Sequence, residues 1–143
     1  MGTSLSDYLL AVRTGAWVLS LPIRLRGRNL HRLVESLHRP AGPASQTPLD
    51  PGRAARIVAR VCRLRLFDLP LFPGTCLRRS LALYHVLGRM GHPVAIHIGV
   101  RKDSGERFEG HSWVTLEEKT LLETNPLERF RAIFTYPRAQ RPC

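Results

Sequence analysis

Residues 76–91 read CLRRSLALYHVLGRMG, and residues 93–102 read PVAIHIGVRK. The change of period between them decides the fold. In the first stretch Cys76, Ser80, Leu83, Leu87 and Met90 form one helical stripe, and Leu77, Leu81, Tyr84 and Gly88 form a second beside it. Apolar residues over so wide an arc mark a helix buried on most sides. Arg78, Ala82, His85 and Arg89 are left for the remaining side, and Gly91 closes the helix as a C-cap. In the second stretch Val94, Ile96, Ile98 and Val100 alternate with Ala95, His97, Gly99 and Arg101. Period two is the signature of a half-buried strand.

Downstream, KDSGER is a polar turn, and Phe108–Leu116 and Thr120–Glu123 read as further strands joined by EEK. Phe130–Tyr136 adds one more. Upstream, Leu66–Thr75 is a loop punctuated by Pro and Gly. Before it, Asp50 caps a helix with Pro51 at its first position. Ile57, Val58, Val61 and Cys62 line its apolar side, and Arg53, Arg56, Arg60 and Arg63 form the other, a surface for phosphate or acidic peptide or simply a solvated face. Residues 6–39 read as helices, with Ser6 as first cap, Asp7 in the first turn, and a buried stripe of Leu30, Leu33, Val34 and Leu37. PAGPASQTPLDP, residues 40–51, has four prolines and cannot be helix or central strand. The expected organisation is a helical segment over 1–39, a Pro-rich linker over 40–52 and a core over 53–143, packed as one unit. Helices followed by an antiparallel meander give an α+β fold.

Composition narrows the function. The 143 residues suit one domain and exclude a two-domain enzyme with its own cofactor fold. The net charge is +11, and all basic residues except Lys102 and Lys119 are Arg. That surface attracts acidic partners, although biased codon usage gives the same skew. Cys62, Cys76 and Cys143 are odd in number and lack C-x-x-C spacing, so neither a disulfide scaffold nor a cysteine zinc site is expected. Tyr8–Ile23, interrupted by Arg13, Gly15 and Pro22, is neither a membrane span nor a signal peptide. A cytoplasmic protein with reduced thiols is expected.

Cys76 is the informative position. The loop delivers it to a helix start, where free N–H groups and the positive dipole end favour a thiolate and can hold an oxyanion. His111, on a strand reading HSWVTLE after Gly110, is the candidate base. Cys first and His on a later strand is the order of papain-like nucleophiles. A turn centred on Glu117 puts Glu123 across from His111 on the same face, as the orienting acceptor. Trp113 shares that face, as a shield or cleft wall or as core. His97 lines the cleft from the next strand or is structural. His31, His38, His85 and His92 lack ligand geometry, Cys62 is a core residue, and Cys143 is terminal.

The motifs GTCLRRSLALYHVL, GHSWVTLE and LETNP closely resemble the transglutaminase-like core of lasso-peptide biosynthesis B proteins. The resemblance runs from about residue 53 to 136. It implies a cysteine protease that removes the leader from a ribosomal precursor peptide before a separate cyclase closes the macrolactam. Cys76 and His111 match the family's nucleophile and base. The family's third residue is usually Asp, where this chain has Glu123; Asp68 and Asp103 are the fallback acids. A pocket for a Thr near the leader's end is implied, as is a separate leader-binding recognition protein. Residues 1–50 show no strand pattern for a fused one, and Leu9, Leu10, Trp17, Val18 and Leu21 either hold that partner or cover the core. No cofactor, metal or nucleic acid is expected. The competing readings are a non-catalytic basic module that binds precursor or RNA, and a transglutaminase with an amine acceptor.

Overall fold

The computed structural model describes residues 2–39, 49–123 and 126–137. Most of the Pro-rich stretch (40–48) and Cys143 lie outside the described residues. Five helices come first: α1 (Leu5–Leu19), α2 (Leu21–Leu25), α3 (Leu30–Leu37), α4 (Pro51–Cys62) and α5 (Thr75–Arg89). The strands follow: β1 (Val94–Lys102), β2 (Phe108–Leu116), β3 (Lys119–Thr120) and β4 (Arg131–Tyr136). This is an α+β arrangement.

Local chemistry sets the helix starts. Ser4, rather than Ser6, caps α1: its hydroxyl accepts from the Asp7 N–H while the Asp7 carboxylate accepts from the Ser4 N–H. Only Ser4 has a carboxylate three residues on, the spacing that a capping box needs. Asp7 is 5 % exposed and also pairs with Arg53 at the start of α4. Burial pushes its carboxyl upward, but the Ser4 N–H and the Arg53 guanidinium outweigh that and hold it below its usual value. One buried acid thus ties α1 to α4. Asp50 caps α4 as expected, accepting from the Arg53 N–H, and Pro51 and Gly52, read as linker, belong to the helix.

Helix α5 lies at the centre, against α1, α3, α4, β1 and β2. Leu81, Leu83, Leu87, Val18, Leu33, Val58, Ile96 and Val114 share its core. Each such side chain contributes roughly 1.5–3 kcal/mol on burial. Of the apolar residues singled out on α1 and α2, Val18 and Leu21 are fully buried, Leu10 and Trp17 pack on the core's margin, and Leu9 is exposed.

The side of α5 read as left over is solvated only at Arg89. Arg78 and Ala82 are buried, and His85 stacks on Trp17 of α1 with ring centroids 4.5 Å apart. Burial, with Arg89, Arg24 and Arg39 nearby, lowers the His85 pKa from 6.5 to about 4. The folded ring stays neutral where an unfolded one takes a proton. Stability is therefore full above about pH 6.5 and falls as pH drops towards 4. The loss is on the order of 3 kcal/mol at most. Thermal melts from pH 7.5 to 4.5 should show it, and His85→Gln should flatten the curve; an unchanged slope would contradict this account.

The sheet order is β3-β2-β1-β4, with every pair antiparallel. The expected meander is therefore corrected: β4 crosses to the far side and pairs with β1. Strand β3 has only two residues and offers little edge to pair with. Phe134 and Tyr136 of β4 instead meet the His31 ring of α3 edge-on, and Tyr136 also meets His38. Those contacts hold β4 beside β1.

Candidate active site

The hairpin that carries His111 is one residue out of the expected register. Thr115 pairs with Thr120 and Leu116 with Lys119, so the turn is Glu117–Glu118, with φ of 48° and 67°. Positive φ at both central residues is the geometry that a two-residue hairpin loop demands, although Glu is an unusual choice there. Continued as a ladder, this register would set Glu123 across from Ser112 and turn its side chain to the wrong face. The ladder does not continue: β3 ends at Thr120, not Glu123. The Leu121 N–H still donates to the Val114 carbonyl, at 3.0 Å, and Leu122 then takes a left-handed φ of 51°. That kink re-aims the chain and brings the Glu123 carboxylate to His111.

The resulting contact is direct. His111 Nε2 lies 3.0 Å from Glu123 Oε2, with both side chains at least nine-tenths buried. A carboxylate only accepts, so the neutral ring carries its proton on Nε2. Nδ1 is left as the basic nitrogen. The same Glu123 oxygen accepts from Arg79 Nη2 at 3.4 Å.

A row of rings fixes the imidazole. Trp113 stacks on His111 at 6.2 Å and on His97 at 5.4 Å, while Phe130 lies 5.1 Å from His111. The indole lies over Gly99, where a Cβ would come within 3.0 Å of its ring. The close approach is thus made at Gly99; a Cβ at Gly110, just before His111, would meet open space. His97 has Thr135 Oγ1 at 3.1 Å from Nδ1 and Thr115 Oγ1 at 3.0 Å from Nε2. Burial lowers its pKa, so it supports Trp113 as a neutral ring.

Cys76 is the second residue of α5, behind the cap Gly74. The first helical bond runs from the Arg78 N–H to the Gly74 carbonyl, so the N–H groups of residues 75–77 have no acceptor within the helix. Among the described residues no hydrogen bond joins Cys76 to His111. Helix α5 packs directly on β2, and Arg79, one turn beyond Cys76 on the same side of α5, also joins the helix to Glu123. Catalytic hydrogen bonds in ligand-free sites are often long and tighten on substrate binding.

The other candidates lie elsewhere. Asp68 pairs with Arg78 at 3.3 Å, and Asp103 accepts from Ser104 in the β1–β2 turn. Cys62 is buried, and desolvation pushes its thiol up to about 11 despite Arg78 and Arg79, so it is inert core. A cavity of about 350 Å³ lies at the opposite edge of the sheet, lined by His31 and residues 133–137, and contains none of the site residues. Among the described residues no group of His, Cys, Asp or Glu is placed to hold a metal ion, and no helix is long and apolar enough to cross a membrane.

The sequence reading gave Arg78 and Arg79 no role. Arg78 is 1 % exposed and donates to the carbonyls of Cys62, Phe67 and Pro73 as well as to Asp68. It fastens the loop that leads to Cys76. The signal available was position: two arginines inside a helix otherwise apolar over most of its surface.

Comparison with known proteins gives one family. Residues 15–135 match the profile of the transglutaminase-like superfamily. The match begins near the end of α1 and takes in α2 and α3. No curated protein and no solved structure matches the chain.

Proposed function

We propose that this chain, which belongs to the transglutaminase-like superfamily, is a cysteine peptidase that removes the leader from a ribosomally made lasso-peptide precursor. The observation that carries the reading is the buried His111–Glu123 hydrogen bond, which leaves Nδ1 to act on a nucleophile. The motif around Cys76, on the helix that Arg79 links to this pair, supplies the nucleophile.

In this reading Nδ1 of His111 takes the Cys76 proton, and the thiolate attacks the carbonyl at the leader–core junction. The N–H groups at the start of α5 stabilise the oxyanion. His111 returns its proton to the departing amine, which becomes the N-terminus of the core peptide. Water then hydrolyses the thioester. Glu123 keeps the ring in the required tautomer throughout, and Trp113 walls it from solvent.

The proposal includes a separate recognition protein that delivers the precursor, and a separate cyclase that takes the product. Leu5, Tyr8, Leu9, Val12, Leu19 and Ile23 remain exposed at 49–77 % along one side of α1 and α2. A helix that is apolar on both sides suits a buried setting, so this side is the docking surface in our reading. Cleavage of dilute precursor should be slow with the chain alone and rise when the recognition protein is added. The gain should fade at saturating substrate, because delivery raises local concentration without changing the chemistry. Leu9→Glu should abolish the gain and leave the unassisted rate intact. Efficient leader-dependent cleavage of dilute precursor by the isolated chain would overturn the partner requirement.

A further inference from the structure

We propose that Arg79 is a positioning residue: its guanidinium holds the Glu123 carboxylate on His111 and couples the helix that carries Cys76 to the imidazole. The inference rests on the reading of Cys76, His111 and Glu123 as the working triad. Its ground is a shared atom. Oε2 of Glu123 lies 3.0 Å from His111 Nε2 and 3.4 Å from Arg79 Nη2. The Glu123 side chain is 3 % exposed and that of Arg79 15 % exposed, so the contact is largely shielded from water.

Burial gives the contact its purpose. A carboxylate removed from water is costly unless a charge balances it. A neutral imidazole gives one hydrogen bond and no charge. Arg79 supplies the charge, so the carboxylate stays an acceptor while His111 cycles between neutral and protonated forms. Glu has one more rotatable bond than the Asp usual at this position, and a second donor fixes it.

Neighbouring arginines divide the work by helix geometry. Residues one apart point about 100° apart around a helix. Arg78 turns into the loop carbonyls, and Arg79 turns to Glu123. Cys76 and Arg79, three apart, share a side of α5. The Arg79–Glu123 contact therefore adds to the packing of α5 on β2 a polar tie between the side of the helix that carries Cys76 and the partner of His111. The remaining charges nearby are accounted for: Arg101 pairs with Glu109 and sits 5.0 Å over Phe130, and His97 lies behind Trp113.

The positive charge acts on both reacting groups. It lies on the side of α5 that carries Cys76 and against the carboxylate that His111 bonds, so it stabilises negative charge developing between them during the reaction.

The test is the rate of Cys76 alkylation by iodoacetamide across pH, read by mass spectrometry of the Cys76 peptide in the full chain, with thermal melts alongside. His111→Ala should move the alkylation profile to higher pH than the wild type's. Arg79→Gln should raise the midpoint by about 0.5–1 pH unit, and Arg79→Lys, which keeps the charge, should restore most of it. A folded Arg79→Gln protein with the wild-type profile would overturn the role of Arg79 alone. A wild-type profile in His111→Ala would overturn the triad reading, and the proposal with it. If Arg79→Gln does not fold, Arg79→Lys decides: a profile near the wild type supports the proposal, and a full upward shift contradicts it.

Discussion

Replacing Cys76 with alanine is expected to lower leader cleavage by roughly 10⁴-fold or more, the scale seen when a covalent nucleophile is removed. The fold should survive. Cys76 is only partly buried at the second position of α5, and it makes no hydrogen bond among the described residues that the fold depends on. Substitutions at such positions usually change stability by about 0.5 kcal/mol or less. Cys62→Ala is the contrasting control. It sits in the core, so it should cost about 1 kcal/mol of stability yet cleave normally. Cleavage assays and thermal melts on the two variants separate chemistry from packing, and full activity in Cys76→Ala would end the peptidase reading.

The second large effect falls on stability. Arg78→Met should destabilise the chain by about 3–5 kcal/mol, because it strips donors from several carbonyls at a largely buried site. Arg78→Lys should be nearly as harmful, since an ammonium cannot reproduce the planar fork that serves Cys62 and Phe67 together. The loop over 63–73 should also become the first site of proteolytic nicking, as it is held chiefly by this side chain. Urea titration reads the loss directly. A midpoint unchanged from the wild type would show that the loop is fastened by other contacts, such as Phe67 on Phe72.

Periodicity was the legible part of the sequence. The switch from helical to alternating pattern at Gly91–Val94 located α5 and β1, and Asp50-Pro51 located the start of α4. These signals are local, and local chemistry decides them. Two features were not legible for the same reason. The partner of β4 depends on α3, which is a hundred residues earlier and holds Tyr136 through His31 and His38. The buried side of α5 depends on Trp17 and on loop carbonyls that a helical wheel does not contain.

The candidate site shows a subtler limit. Glu123 meets His111 as expected, but by another route. The turn is centred between Glu117 and Glu118 instead of on Glu117, which by itself would misdirect Glu123, and Leu122 in a left-handed conformation restores the contact. A non-glycine residue in that conformation costs roughly 1–2 kcal/mol and needs surrounding contacts to hold it. No propensity rule predicts it, because Leu is a poor choice for positive φ. Arg79 escaped notice similarly: nothing in a run of two arginines says that one serves a loop and the other a carboxylate.

The most direct test of the central claim is intact-mass analysis of a lasso-type precursor peptide incubated with the chain and its recognition protein. The account predicts two fragments, leader and core, whose masses sum to the precursor plus one water, formed by the wild type and not by Cys76→Ala. An uncut precursor, a cross-linked product lighter by ammonia, or the same two fragments from Cys76→Ala would contradict it.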